Sequence, residues 1–171
     1  MSFPYARMLK YTLINTSLPI TKADIKKVGI DIGCRFPESL SDFYLRFNGG
    51  EAEGERRIFA SAAGRELEVQ TFLPILHQRF KGDLLLEDSY WSLVREKNSI
   101  PRGYIPFAMG PGGLRYWMDC KTGAVYNSDF VRQGKTGSAM QHIASTIDEF
   151  VNGLAARNEI LKVRMDAACV G

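Results

Sequence analysis

The stretch FPESLSDFYLRFNGG (residues 36–50) has the most specific local pattern in the chain. Its apolar side chains recur three and four residues apart, which predicts an amphipathic helix with one buried stripe. Pro37 suits the first helical position because its missing N–H leaves no hydrogen bond unmade there. Asn48, Gly49 and Gly50 are typical of a helix end, where positive φ is common. The predicted stripe consists of Leu40, Phe43, Tyr44 and Phe47.

A second informative stretch is IPFAMGPGGLRYWMDCKTGAVY (residues 105–126). A strand beginning near Pro106 is followed by a glycine-rich segment that includes Gly112 and Gly113. That segment leads into a strand rather than a helix, so it predicts a tight turn and not an anion-binding helix start. The sequence DCKTG (residues 119–123) then predicts the connection of a β-hairpin.

The remaining segments predict helices at both ends of the domain and strands between them. Thr21 and Asp24 form a capping box for a first helix, with Gly29 as its stop. Residues 51–57 are interpreted as a mobile charged loop, and residues 89–97 as a short helix. Predicted strands cover residues 58–63, 67–73, 104–108, 114–119 and 124–127.

A long final helix is predicted after a cap at Ser145 or Thr146. Its apolar stripe would consist of Ile147, Phe150, Val151, Leu154 and Leu161. Helices first, strands in the middle and a helix last favour one α+β domain over residues 1–171, with a mainly antiparallel sheet. Residues 162–171 are interpreted as a C-terminal tail.

Composition and charge argue against several classes of function. The 171 residues include 22 Lys or Arg and 19 Asp or Glu, so the formal charge is only +3. The basic residues are scattered, whereas a nucleic-acid binder gathers them on one face, so no nucleic-acid partner is expected. Neither a signal peptide nor a membrane-spanning segment is recognisable, and the predicted location is the cytoplasm.

The residues that most often carry chemistry do not form a recognisable site. Cys34, Cys120 and Cys169 are widely separated and are expected to be free thiols. His77 and His142 lie far apart in the sequence, and no metal site is expected. The sequence GKT (residues 134–136) resembles the end of a phosphate-binding loop.

A phosphate-binding loop begins with a glycine, and this chain has Asp129 at that position. The negative charge of Asp129 opposes phosphate. Neither a nucleotide nor another cofactor is therefore expected. No nucleophile motif is present either, so the protein is predicted not to be an enzyme.

Two adjacent aromatic residues in the hairpin leave alternatives open. Tyr116 and Trp117 occupy consecutive strand positions and must lie on opposite faces of the sheet. One of them belongs to the core. The other is either exposed, as an interface anchor, or covered by another element.

Four motifs in the same order resemble the SUKH superfamily, over residues 21–154. They are FPESLSDFYLRFNGG (residues 36–50), IPFAMGPGG (105–113), YWMDCKTGAVY (116–126) and IASTIDEFVNGL (143–154). The superfamily groups a fungal cell-wall assembly regulator with many bacterial immunity proteins encoded beside polymorphic toxins. Where its members often carry acidic residues after the Ile-Pro segment, this chain has Met109 and Pro111.

The resemblance implies a bent, mainly antiparallel sheet flanked by helices. It also implies a non-enzymatic protein that binds and neutralises a cognate toxin domain. The expected binding surface is the charged loop together with the exposed face of the hairpin. Its predicted residues are Glu51, Glu53, Glu55, Trp117 and Asp119. Two other functions also fit the sequence: a regulatory or scaffold module without a toxin partner, and a small-ligand binder or enzyme.

Overall fold

The computed structural model describes residues 12–96, 100–129 and 140–169. Five α-helices are found in these residues, and a π-helical turn (Trp91–Glu96) extends the third. Short 3-10 turns occupy Glu53–Glu55 and Pro111–Gly113. The helices are α1 (Lys22–Ile32), α2 (Glu38–Arg46), α3 (Leu86–Tyr90), α4 (Ile147–Asn152) and α5 (Arg157–Cys169).

The strands form three antiparallel sheets, which confirms the predicted α+β class. The small sheets have the orders β1-β2 and β10-β3-β4, and the five-stranded sheet has the order β5-β6-β7-β8-β9. The first five strands are β1 (Leu13–Ile14), β2 (Glu51–Ala52), β3 (Ile58–Ala60), β4 (Glu66–Glu68) and β5 (Thr71–Phe72). The others are β6 (Tyr104–Met109), β7 (Leu114–Asp119), β8 (Val125–Asp129), β9 (Gln141–Ala144) and β10 (Leu154–Ala155).

The first helix begins where predicted and ends later. Thr21 and Asp24 form the capping box, but α1 continues through Gly29 and ends at Gly33 in the left-handed conformation. Gly29 is buried in the helix because the returning chain passes close to it. A Cβ at this position would lie 3.1 Å from the carbonyl oxygen of Cys34. The predicted stop at Gly29 was wrong because that glycine serves a close approach.

The second helix has the predicted apolar stripe, but its first and last residues differ slightly from the predicted ones. Pro37 is the N-cap rather than the first helical residue, and α2 ends one turn before the double glycine. The segment interpreted as a charged loop (residues 51–57) contains the short strand β2 and a 3-10 turn. The predicted strand over residues 67–73 is divided between β4 and β5, which belong to different sheets.

The predicted long final helix is broken at Gly153. Thr146 caps α4 through the backbone N–H of Glu149, but α4 stops at Asn152 and the chain enters β10. A Cβ at Gly153 would lie 2.8 Å from the Phe59 ring, so the ring packs against the glycine. The helix that follows, α5, has no buried residue, and Leu161 is 51% exposed rather than core.

One hydrophobic core joins helices α1 to α4 to the five-stranded sheet. The Phe150 ring packs on Phe59, Phe107 and Tyr116, with ring centroids 5.0–5.7 Å apart. Phe72 connects this cluster to α2 through Phe43, 5.3 Å away. The core includes Phe43, Phe107, Ile147, Phe150 and Leu154, and the partly buried Phe47 packs at its margin.

Cys34 and Cys120 form a disulfide, which corrects the expectation of free thiols. The two cysteines are separated by 86 residues in sequence. They join the loop between α1 and α2 to the turn of the β7–β8 hairpin. Cys169 is free and exposed.

Candidate protein-binding surface

The strand register places Tyr116 and Trp117 on opposite faces of the sheet. Tyr116 pairs with Asn127, and Trp117 pairs with Tyr126. Both rings are nevertheless 0% exposed. The indole N–H of Trp117 donates a 2.7 Å hydrogen bond to the hydroxyl of Ser128, so the one polar atom of the ring is satisfied inside. The expectation of an outward Trp117 was wrong.

The face that carries Trp117 also presents a row of partly exposed aromatic rings. The ring centroids of Tyr104 and Tyr126 lie 5.5 Å apart in an edge-to-face arrangement. His142 packs against the other side of Tyr126 at 5.4 Å. We call Tyr104, Tyr126 and His142 the aromatic row. It connects β6, β8 and β9 on the same face of the sheet as the buried Trp117.

The electrostatic surroundings of the aromatic row are acidic at one end. Tyr104 pairs directly with Asp119 across β6 and β7. Partial burial, followed by the charge of Asp119 and by Tyr126, raises the pKa of the Tyr104 hydroxyl. Tyr side chains are enriched at protein interfaces.

Asp119, predicted as a binding residue, has a local structural contact. One carboxylate oxygen accepts hydrogen bonds from the backbone N–H groups of Lys121 (2.8 Å) and Thr122 (3.4 Å). This arrangement fixes the hairpin turn. Asp119 remains partly exposed at the end of the aromatic row.

The three predicted acidic residues do not share one environment. Glu51 lies in β2, and its carboxylate is 3.3 Å from the guanidinium of Arg57. Glu53 and Glu55 are exposed on the 3-10 turn. This turn follows β2 of the two-stranded sheet, whereas Trp117 and Asp119 belong to the five-stranded sheet. The predicted binding residues are therefore distributed over two parts of the molecule.

The double glycine and the asparagine before it are structural. The Asn48 side chain is buried and hydrogen-bonds the backbone of Leu18 and Ile75. A Cβ at Gly49 would lie 2.8 Å from Pro74, and one at Gly50 would lie 2.6 Å from the carbonyl oxygen of Ile14. The backbone passes through these positions too closely for any side chain.

The proline and glycines of the second motif also shape the scaffold. Pro106 is buried beside the β6 bulge, opposite Trp117. Gly112 and Gly113 take positive φ values of 63° and 83° in the turn between β6 and β7. These motif residues therefore mark the frame of the domain, while Tyr104 and His142 of the aromatic row lie just outside the quoted motifs.

The SMI1 / KNR4 family model (SUKH-1) matches residues 19–153, well over half of the chain. The chain belongs to this family. The match confirms the resemblance to the SUKH superfamily, whose members generally bind protein partners. No curated protein shows significant similarity to this SUKH-1 chain.

The aromatic row of this SUKH-1 protein was missed in the sequence because its members are 22 and 16 residues apart. Only the pairing of β6, β7, β8 and β9 brings them together. Within residues 12–96, 100–129 and 140–169, no helix has the length and hydrophobicity needed to cross a bilayer. The phosphate-loop-like residues 134–136 lie outside the described residues.

Proposed function

We propose that this SUKH-1 protein is a non-enzymatic immunity protein that binds and neutralises a cognate toxin domain. The family match over residues 19–153 carries the proposal. Blocking a toxin requires an interface of roughly 1,600 Å² and no chemistry. The structure offers a rigid sheet with partly exposed aromatic rings, and aromatic side chains are frequent anchors at such interfaces.

We place the centre of the interface on the aromatic row. Tyr126 packs edge to face against both Tyr104 and His142, so the rings are held in position before a partner binds. A preorganised surface loses little conformational entropy on binding. Glu53 and Glu55, on their separate turn, contribute attraction to a basic toxin surface rather than contact energy.

The test is binding to the toxin domain encoded beside the gene for this protein. Tyr126→Ala is expected to weaken affinity by at least about tenfold, mostly through faster dissociation. Phe80→Ala, which removes a ring that is 62% exposed on a different segment, is the matched control and leaves affinity unchanged. Equal affinities for both variants and the wild type would contradict the assignment of the aromatic row.

The acidic turn is tested separately by association kinetics. Glu53→Lys combined with Glu55→Lys is expected to slow association and to reduce its dependence on salt. Asp166→Lys on the exposed helix α5 is the control for a general change in net charge. Protection of cells that express the toxin then tests the immunity function itself.

A regulatory binding module without a toxin partner is the second candidate. The matched family is the SMI1 / KNR4 branch, and the resemblance associates that branch with a regulator of cell-wall assembly. The formal charge of +3 also argues against a partner with a strongly basic cleft. Two results together would favour this candidate. The protein would neither bind the neighbouring toxin nor protect against it, and a different partner would bind at the aromatic row.

A further inference from the structure

A groove of about 450 Å³ runs beside the disulfide. One wall is the segment that leads into α2, and the other is the turn of the β7–β8 hairpin. The two walls approach closely, because a Cβ at Gly123 would lie 3.8 Å from the hydroxyl of Ser39. The groove is lined by Arg35, Phe36, Pro37, Glu38, Ser39, Cys120, Lys121, Thr122 and Gly123.

The two sulfurs of the disulfide differ in access from this groove. Cys120 lines it and is partly exposed. Cys34 is 6% exposed and does not line it. Attack on a disulfide requires a thiolate to reach one sulfur, so access determines which sulfur is attacked.

The charge of the groove suits that reaction. Each cysteine is followed by a basic residue, Arg35 and Lys121, and both of these residues line the groove. Glu38 is the one acidic residue in the lining. Positive charge attracts the incoming thiolate and stabilises the thiolate that departs, and both effects accelerate exchange.

We propose that the groove is a thiol–disulfide exchange site at which a dithiol reductant attacks Cys120. The thiolate of the reductant forms a bond to Cys120 Sγ while the Cys34–Cys120 bond breaks, and Cys34 departs as a thiolate that takes a proton from solvent. The second thiol of the reductant then displaces Cys120. The reductant leaves as an intramolecular disulfide, and the protein gains two electrons and two protons as a dithiol.

The consequence is that the redox state controls the stability of the domain. Reduction removes the covalent connection between the α1–α2 loop and the hairpin turn. The local hydrogen bonds of the turn, such as that from Gly123 N–H to the carbonyl of Asp119 (2.8 Å), do not depend on the disulfide. Reduction therefore leaves the turn folded and lowers the resistance of the whole domain to unfolding.

The test uses the full chain carrying Cys169→Ser, so that no other thiol is present among the three cysteines. The oxidised protein is mixed with dithiothreitol without denaturant, and alkylation with mass spectrometry follows the loss of the disulfide. The expected rate rises linearly with dithiothreitol concentration and exceeds the rate of global unfolding. A rate that reaches a plateau at the unfolding rate, or free Cys34 and Cys120 in protein purified without reductant, would overturn the proposal.

Charge variants test the role of the groove. Arg35→Gln and Lys121→Gln are each expected to slow reduction severalfold, and Glu38→Gln to accelerate it. Lys26→Gln, an exposed change on α1, is the control that leaves the rate unchanged. Identical rates in all four variants would show that the groove does not guide the reductant.

Single-cysteine variants identify the attacked sulfur. With Cys169→Ser present, Cys120 in the Cys34→Ser variant is expected to react with a small aromatic disulfide at least about tenfold faster than Cys34 in the Cys120→Ser variant. Circular dichroism verifies that both variants are folded. In the chain that retains both cysteines, a trapped mixed disulfide between the reductant and Cys120 would identify Cys120 as the attacked residue. A mixed disulfide on Cys34 would refute that assignment.

Discussion

Asn48 and Ile75 exchange two hydrogen bonds although they lie 27 residues apart. The side-chain oxygen of Asn48 accepts from the backbone N–H of Ile75 at 2.8 Å, and its amide donates to the carbonyl of Ile75 at 3.0 Å. The amide also donates to the carbonyl of Leu18 at 2.9 Å. One buried side chain thus satisfies backbone groups of two segments that would otherwise lack partners.

Asn48→Ala is expected to lower the free energy of unfolding by about 2–4 kcal/mol, because the buried N–H and carbonyl groups lose their partners. Urea denaturation followed by circular dichroism measures the loss. Gln70→Ala, at an exposed position, is the control and changes stability little. A loss for Asn48→Ala below about 1 kcal/mol would mean that water replaces the side chain.

Gly49→Ala is expected to be more destabilising than Gly64→Ala. Both glycines have positive φ, 73° and 76°, so each substitution includes a backbone cost of about 1–2 kcal/mol. Only at Gly49 does the new Cβ collide with Pro74, which adds about 1–3 kcal/mol. Thermal unfolding of the two variants isolates the steric contribution, and equal melting temperatures would contradict it.

The hydrogen bond from Trp117 to Ser128 is expected to show coupling in a double-mutant cycle. Trp117→Phe and Ser128→Ala each remove one partner, and the double variant removes both. The expected coupling energy is about 0.5–1.5 kcal/mol, the usual range for a buried neutral hydrogen bond. Additive losses would show that the indole and the hydroxyl do not stabilise each other.

Glu87 predicts a pH dependence of stability. Burial is the main cause that raises the pKa of its carboxyl, while the hydrogen bond from the backbone N–H of Leu76 opposes the rise. The folded state therefore binds this proton more tightly than the unfolded state. The contribution of Glu87 is most favourable below its ordinary pKa and becomes less so as pH rises through the raised value.

Chemical denaturation between pH 4 and about pH 7 measures this dependence. Glu87→Gln has no titrating group at this position and is expected to show a smaller fall in stability over the same range. The exposed Glu53→Gln is the matched control and keeps the wild-type slope. An unchanged slope in Glu87→Gln would assign the pH dependence to other residues.

The disulfide is expected to contribute about 4–5 kcal/mol to stability, the chain-entropy value for a loop of its length. Cys34→Ser combined with Cys120→Ser removes it without leaving a thiol at either site. Cys169→Ser, at the exposed free cysteine, is the control and leaves the melting temperature unchanged. Equal stability of the double variant and the wild type would show that the disulfide constrains little in the unfolded chain.

Local patterns in the sequence were sufficient for the elements that depend on near neighbours. The capping box of Thr21 and Asp24 closes over three residues, and Thr146 caps α4 in the same way. The apolar stripe of α2 and the hairpin turn after Asp119 likewise depend on spacing within one short segment. The order of these elements also revealed the family, because motif order is a property of the chain itself.

The tertiary structure decided what depends on distant partners. Spacing along the chain does not reveal that Cys34 meets Cys120, that the Phe59 ring packs against Gly153, or that Trp117 is fully buried. The aromatic row exists only because antiparallel pairing places residues from three strands side by side. Such contacts arise from the packing of whole elements, so the sequence determined the frame of this protein and the three-dimensional fold determined its surface.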